Sequence, residues 1–375
     1  MPGEIFIFGD LCPDNDYRRL FDTSATGAFA PELVAQMLQS ALVVGNLECP
    51  ATAQSRPLTK CGPNLRARPQ DIQTLKSCGF GLLSLANNHI LDFGHQGVID
   101  TLEHCRSAGI VTVGAGKDAA DARRAAIVNI DGKRVGVVSF AEAEFNLATE
   151  TSPGANHFDP YSSFDDIRGL KARTDYVIVL YHGGIEHYKY PSPLLQKKCR
   201  KFAECGADLV LCQHSHCIGT VEQHAGGTIL YGQGNSLFGY RPGNAAWNEG
   251  LLVAVEPDTR EITFKLLQAK ENGVFLATPE EAARRLDRMR EDSAVLNDAG
   301  LLQEKWCEFC QSQAALDLPL LYGWGRLANK LNRLLGNRLV NWRYSKRKFM
   351  TTMNLLRCEA HHEVIQTILE AKLFK

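Results

Sequence analysis

Five short apolar runs in this chain end in a residue that can bind a metal or move a proton. Ile5-Phe6-Ile7-Phe8 leads to Asp10, and Leu42-Val43-Val44 leads to Glu48. Gly81-Leu82-Leu83-Ser84-Leu85 leads to Asn88-His89, Asp175–Leu180 to His182, and Ala207–Cys212 to His214 and His216. Apolar runs of this length read as strands buried on both faces. Open α/β sheets place their chemistry beyond the carboxyl ends of such strands. Helical patterns alternate with them, around Pro31–Ser40, Pro69–Cys78, Val98–Ala108 and Leu194–Cys205, which makes the class α/β. Hairpins are expected at Ala126–Ile130 with Val135–Phe140, turning at Asp131-Gly132, and at Gly250–Glu256 with Glu261–Leu267, turning at Pro257-Asp258.

Two carboxylates, a carboxamide and several imidazoles form an oxygen-and-nitrogen ligand set, suited to Zn²⁺, Mn²⁺ or Fe at one or two centres. Two ions about 3.5–4 Å apart would stabilise the attacking and leaving oxygens of an in-line displacement. Within a strand of period two, His214 and His216 would point to the same side. Asp92, three residues after His89, is placed to hold that ring in one tautomer. The absence of cysteine ligand pairs near these ends argues against a structural zinc cluster. The loop from Cys49 to Arg68 carries Arg56, Lys60, Arg66 and Arg68, a cationic rim that is either solvated or turned to a substrate.

The 375 residues are 45% hydrophobic and 22% charged with a net charge of −1, an ordinary globular balance with no bias towards nucleic acid. The N-terminus shows no signal-peptide pattern, and no run reaches the roughly 18 apolar residues of a spanning helix. The expectation is a cytoplasmic protein, peripheral at the inner membrane face if it meets a membrane at all. Most of the twelve cysteines would then act as small buried hydrophobes. Beyond Asn272 the strand signals stop, which divides the chain into a domain at 1–272 and a helical extension at 273–375. Cys307-Glu308-Phe309-Cys310 is a lone pair and reads as helix packing. Residues 318–358 contain no Asp or Glu but nine Lys or Arg, with Leu327, Leu331, Leu334, Leu335 and Leu339 at helical spacing. Such a stretch either docks on the protein with its basic face solvated, or contacts a membrane surface or an acidic partner.

Taken together, Gly9-Asp10, Gly45-Asn46-Leu47-Glu48, Asn87-Asn88-His89 with Asp92-Phe93-Gly94, His182-Gly183-Gly184 with Glu186, His214-Ser215-His216 and Tyr231-Gly232-Gln233-Gly234-Asn235 resemble the CapA family. That family is named for poly-γ-glutamate capsule biosynthesis and belongs to the calcineurin-like metallophosphoesterases. The resemblance runs from about residue 4 to 270. It implies a double β-sandwich flanked by helices (αββα) with divalent metals at the strand ends. Asp10 and His216 would serve one ion, Asn88, His182 and His214 a second, and Glu48 would stand at the bridging position. His89, with Asp92, would be the catalytic imidazole, and Asn46, Glu186 and Asn235 the substrate-facing residues. Two positions depart from the superfamily pattern: Cys12 replaces a histidine, and Glu48 replaces an aspartate. The implied activity is hydrolysis of a phosphoester or amide by metal-activated water, acting on a phosphoester or anionic polymer. The alternative is an accessory, polymer-binding protein of a capsule assembly machinery.

Overall fold

The computed structural model describes residues 3–14, 17–60, 62–321, 323–336, 338–343, 346–357, 365 and 369. Two mixed sheets carry the fold. In the first, the strands run in the order Gly273–Leu276, Glu261–Lys270, Glu249–Glu256, Ile5–Leu11, Leu42–Leu47, Phe80–Ser84, Val111–Val113. In the second the order is Val221–His224, Gly227–Leu230, Leu209–Gln213, Tyr176–His182, Lys133–Ala141, Ala126–Ile130. The strands that carry the candidate residues pair in parallel within each sheet, while antiparallel strands occupy the edges. Their carboxyl ends therefore point the same way, as buried βα repeats require.

Three apolar layers hold the sheets and helices together. Ile5, Ile7, Val44 and Leu82 of the first sheet meet Val137, Ile178, Leu180 and Leu211 of the second in the middle layer. The outer face of the first sheet packs on the helices Pro31–Met37, Pro69–Ser77 and Gly94–Ser107. The outer face of the second packs on Ser163–Lys171 and Pro193–Glu204. This is the four-layer αββα arrangement. Each fully buried Ile, Leu or Phe contributes about 1.5–3 kcal/mol of transfer free energy.

The strands run further than their apolar cores suggest, so Asp10 and His182 lie inside Ile5–Leu11 and Tyr176–His182. The short strand Asn235–Leu237 pairs with Ile5–Leu11 in parallel, setting Asp10 beside Asn235. Glycine makes that approach possible, since a Cβ on Gly9 would collide with the Gly234 carbonyl oxygen.

The expected domain boundary at 272/273 needs correction. Gly273–Leu276 adds the edge strand of the first sheet, and Pro279–Ser293 packs beside Glu261–Lys270. The compact unit reaches Leu302, and a second begins at Gln303. The second unit is helical at Arg326–Leu334, Arg338–Arg343 and Lys346–Arg357. The side chains of Arg326, Lys346 and Arg347, together with Cys358, lie outside the described residues.

Candidate metal centre

Every proposed strand-end ligand comes to one place. Asp10, Glu48 and His216 form one group of ligand atoms within 4.8 Å of one another, and Glu48, His182 and His214 form another. Glu48 belongs to both. Its Oε1 lies 3.5 Å from His182 Nε2, 3.9 Å from His216 Nε2 and 4.0 Å from His89 Nε2. Asn88 Oδ1 lies 3.0 Å from His182 Nε2.

His214 and His216 converge for a different reason from the one expected. The strand Leu209–Gln213 ends before them, and both adopt left-handed backbone, with φ of 91° and 51°. That conformation costs of order 1–3 kcal/mol for a non-glycine residue and concentrates at functional sites. Here it turns the His214 N–H onto Asp10 Oδ2 at 3.0 Å and leaves the two rings 6.2 Å apart.

Asn46 and Asn235, expected to face substrate, instead stand behind the ligands. Asn46 Nδ2 lies 2.8 Å from Asp10 Oδ1 and 3.1 Å from His182 Nδ1. Asn235 donates to the Trp247 carbonyl at 2.9 Å, so its Oδ1, 2.8 Å away, accepts from His216 Nδ1. The His216 Nε2 is thereby left bare towards Glu48, the tautomer a metal ligand needs. Both carboxamides are buried and committed to the ligands, so neither is free for substrate.

Charge is held here at a cost that a cation would remove. Burial raises the Asp10 carboxyl to about 7 against hydrogen bonds from Asn46 and the His214 N–H. Burial, then the nearby Asp10 charge, pushes Glu48 well above the carboxylate range. Burial, then His214, pulls His182 well down and takes His216 to about 3, and burial lowers His214. The imidazoles are therefore neutral and ready to ligate. Both oxygens of Glu48 and the Nδ1 of His214 are buried without a hydrogen-bond partner among the described residues. Orphaned buried acceptors amid oxygen and nitrogen donors fit a divalent ion, whose own charge inverts these shifts.

His89 presents its other nitrogen away from the centre. Its Nδ1 lies 2.6 Å from Asp92 Oδ2, which also accepts the Leu65 N–H at 2.7 Å. Lys60, one of the supposed rim cations, is buried in an ion pair with Asp92, and its Nζ lies 3.1 Å from His89 Nδ1. Arg68 is likewise committed, to Asp71 and Asp22. Cys12 sits in the apolar core with its thiol against Cys49, and neither ligand group includes it.

A cavity of about 580 Å³ opens above His89 and His216. Glu186 lies on its wall, alone among the three residues expected to meet substrate. His187, Phe238, Arg241 and Trp247 also line it without having been singled out in the sequence, because they occupy loops with no hydrophobic period.

The chain is similar in sequence to several known proteins. The chain is 28% identical over 241 residues to the capsule biosynthesis protein CapA of Bacillus anthracis, covering 62% of this chain and 59% of that protein. It is 32% identical over 208 residues to a probable polyglutamine synthesis accessory protein of Mycobacterium tuberculosis, covering 52% of this chain and 55% of that one. The chain thus spans little more than half the length of these relatives. A 5'-nucleotidase precursor from Thermus thermophilus aligns over 84% of this chain and 59% of its own at 17% identity, with a TM-score of 0.43. The model of the bacterial capsule synthesis protein family PGA_cap matches residues 4–240, and the chain belongs to that family.

Proposed function

We propose that the chain is a divalent-metal hydrolase of phosphoester or amide bonds, serving the synthesis of an anionic capsule polymer of the polyglutamate kind. The observation that carries this reading is Glu48, whose carboxylate is shared by two ligand groups, lacks a hydrogen-bond partner among the described residues and lies beside His89 and His216 of the cavity wall. Asp10, Glu48 and His216 would hold one ion, and Glu48, Asn88, His182 and His214 the other. Such ions, when bound, polarise a phosphoryl or carbonyl oxygen and make water acidic enough to attack near neutral pH. His89 would donate a proton from Nε2 to the leaving group, held in orientation by Asp92, while Lys60 neutralises Asp92. Asn235 would fix the tautomer of His216.

Loading the purified chain with Mn²⁺ and supplying bis(p-nitrophenyl) phosphate tests the reading. One or two ions per chain and metal-dependent release of nitrophenol are expected. Bound metal without turnover of the diester or of a γ-linked glutamate oligomer would favour a polymer-binding accessory role. Glu48 and Cys12, the two departures from the phosphoesterase pattern, give that second reading its support.

The second unit adds a proposal about location. Leu327, Leu334 and Trp342 are 84%, 75% and 83% exposed, and Lys330 and Arg333 are exposed beside the leucines. No helix among the described residues is long and apolar enough to cross a membrane. An exposed leucine face flanked by cations suits the surface of an anionic bilayer, where each basic side chain adds roughly 1 kcal/mol, screened by salt. Cosedimentation with phosphatidylserine vesicles should be strong at low salt, weaken at high salt and vanish in a chain with Leu327, Leu331 and Leu334 changed to Ser. Absence of binding at low salt would reject the membrane as partner.

A further inference from the structure

Arg241 and Trp247 form a stacked pair on the cavity wall, and neither belongs to the ligand groups. The residue after Trp247 holds Arg241 in place. Asn248 Oδ1 accepts the Arg241 backbone N–H at 2.9 Å, and Asn248 Nδ2 donates to the Arg241 carbonyl at 2.7 Å. Trp247 is buried, donates its indole N–H to the Gly239 carbonyl at 3.3 Å, and packs its ring 4.8 Å from that of His216. The Arg241 guanidinium lies on this ring, 3.1 Å from the centroid.

Stacking takes up the face of a guanidinium and leaves its N–H edge free. No carboxylate forms an ion pair with Arg241 among the described residues, and its side chain makes no hydrogen bond there. Glu186, across the same cavity, is close enough for its charge to act on Arg241 without contact. Partial desolvation on the Trp247 ring costs the guanidinium some of its hydration, which hydrogen bonds to an incoming anion would replace. The planar N–H fork matches a carboxylate with two parallel hydrogen bonds. The negative charge of Glu186 disfavours a dianionic phosphate at the same spot more than a monoanionic carboxylate.

Taking the cavity as the substrate site of the hydrolase proposed above, we propose that Arg241, laid on Trp247, binds a carboxylate of the substrate remote from the bond presented to His89 and His216. The cavity then selects substrates with a carboxylate-bearing arm. A phosphodiester without such an arm reaches the centre but gains nothing from Arg241.

Calorimetric titration of the Mn²⁺-loaded full chain tests this without requiring turnover. The probes are a γ-linked glutamate trimer and the same trimer with its free carboxylates converted to carboxamides. The parent chain should prefer the carboxylate trimer, and R241A should cut that preference at least tenfold, as expected for loss of charge-assisted hydrogen bonds. R241M, which keeps an apolar cover on Trp247, should behave like R241A, and R241K should recover only part of the preference. Metal content should match the parent in all three variants. A parent chain that does not bind the carboxylate trimer, or a preference that survives R241A and R241M, overturns the assignment. Absence of diester hydrolysis in the parent would count against the hydrolase reading alone, because the trimer titration reads binding.

Discussion

Glu48→Gln should abolish high-affinity divalent-metal binding at both ligand groups while leaving the metal-free fold intact. The carboxamide has the same length, so the packing around residue 48 is kept. What disappears is the carboxylate proposed to bridge the ions, whose two oxygens are buried without a hydrogen-bond partner among the described residues. Ligand saturation at a hundred times Kd stabilises a protein by about 2.7 kcal/mol. The parent chain should therefore melt at a higher temperature with Mn²⁺, and the variant should show no such shift. Metal analysis after desalting supplies the direct readout. A variant that keeps its ions and its metal-induced shift would remove Glu48 from the centre.

The same measurement has a defined pH dependence. Burial holds the metal-free Asp10 carboxyl near 7, so below that pH an ion must displace its proton. His216, held near 3, is already neutral and does not compete. Apparent affinity should fall about tenfold per pH unit from pH 7 to 5 for each proton displaced. In the metal-free chain the sign is opposite. Asp10 binds a proton in the folded state that it has lost in the unfolded one, so its contribution to stability declines as pH rises from about 4 to about 7.

The strand-end residues were legible because burial on both faces leaves an unbroken apolar run, so Asp10, Glu48 and His182 are visible where the run breaks. The side each polar residue faces was not legible in the same way. Asn46 and Asn235 sit in the same motifs as the ligands, but only the packed structure shows their amides turned onto His182 and His216. His214 and His216 share a centre through left-handed backbone, which no alternation pattern encodes. Lys60 looked like one more loop cation until the chain folded it against Asp92, where the buried ion pair fixes the loop on the site. Gly273–Leu276 was missed because a strand of four residues at a sheet edge carries too short a pattern to register.

His89→Ala should keep its metal and lose rate. The ring is close to Glu48, with Nε2 4.0 Å from Oε1, yet neither ligand group among the described residues includes it. Its Nδ1 is held by Asp92 at 2.6 Å, an arrangement that orients the ring and leaves Nε2 facing the centre. A positioned acid or base contributes typically 10²–10⁴ in rate, so turnover of a diester should drop by about that factor at unchanged metal content. Asp92→Asn is a poorer probe, because it also strands the buried Lys60 ammonium and so mixes a stability loss with any loss of orientation. The diester's nitrophenolate leaves without much need of a proton, whereas an alkoxide does not. His89→Ala should therefore cost more against an alkyl phosphodiester than against the nitrophenyl one if His89 acts as the acid. Equal losses on both substrates would assign the ring to charge stabilisation, and loss of metal along with rate would place it among the ligands.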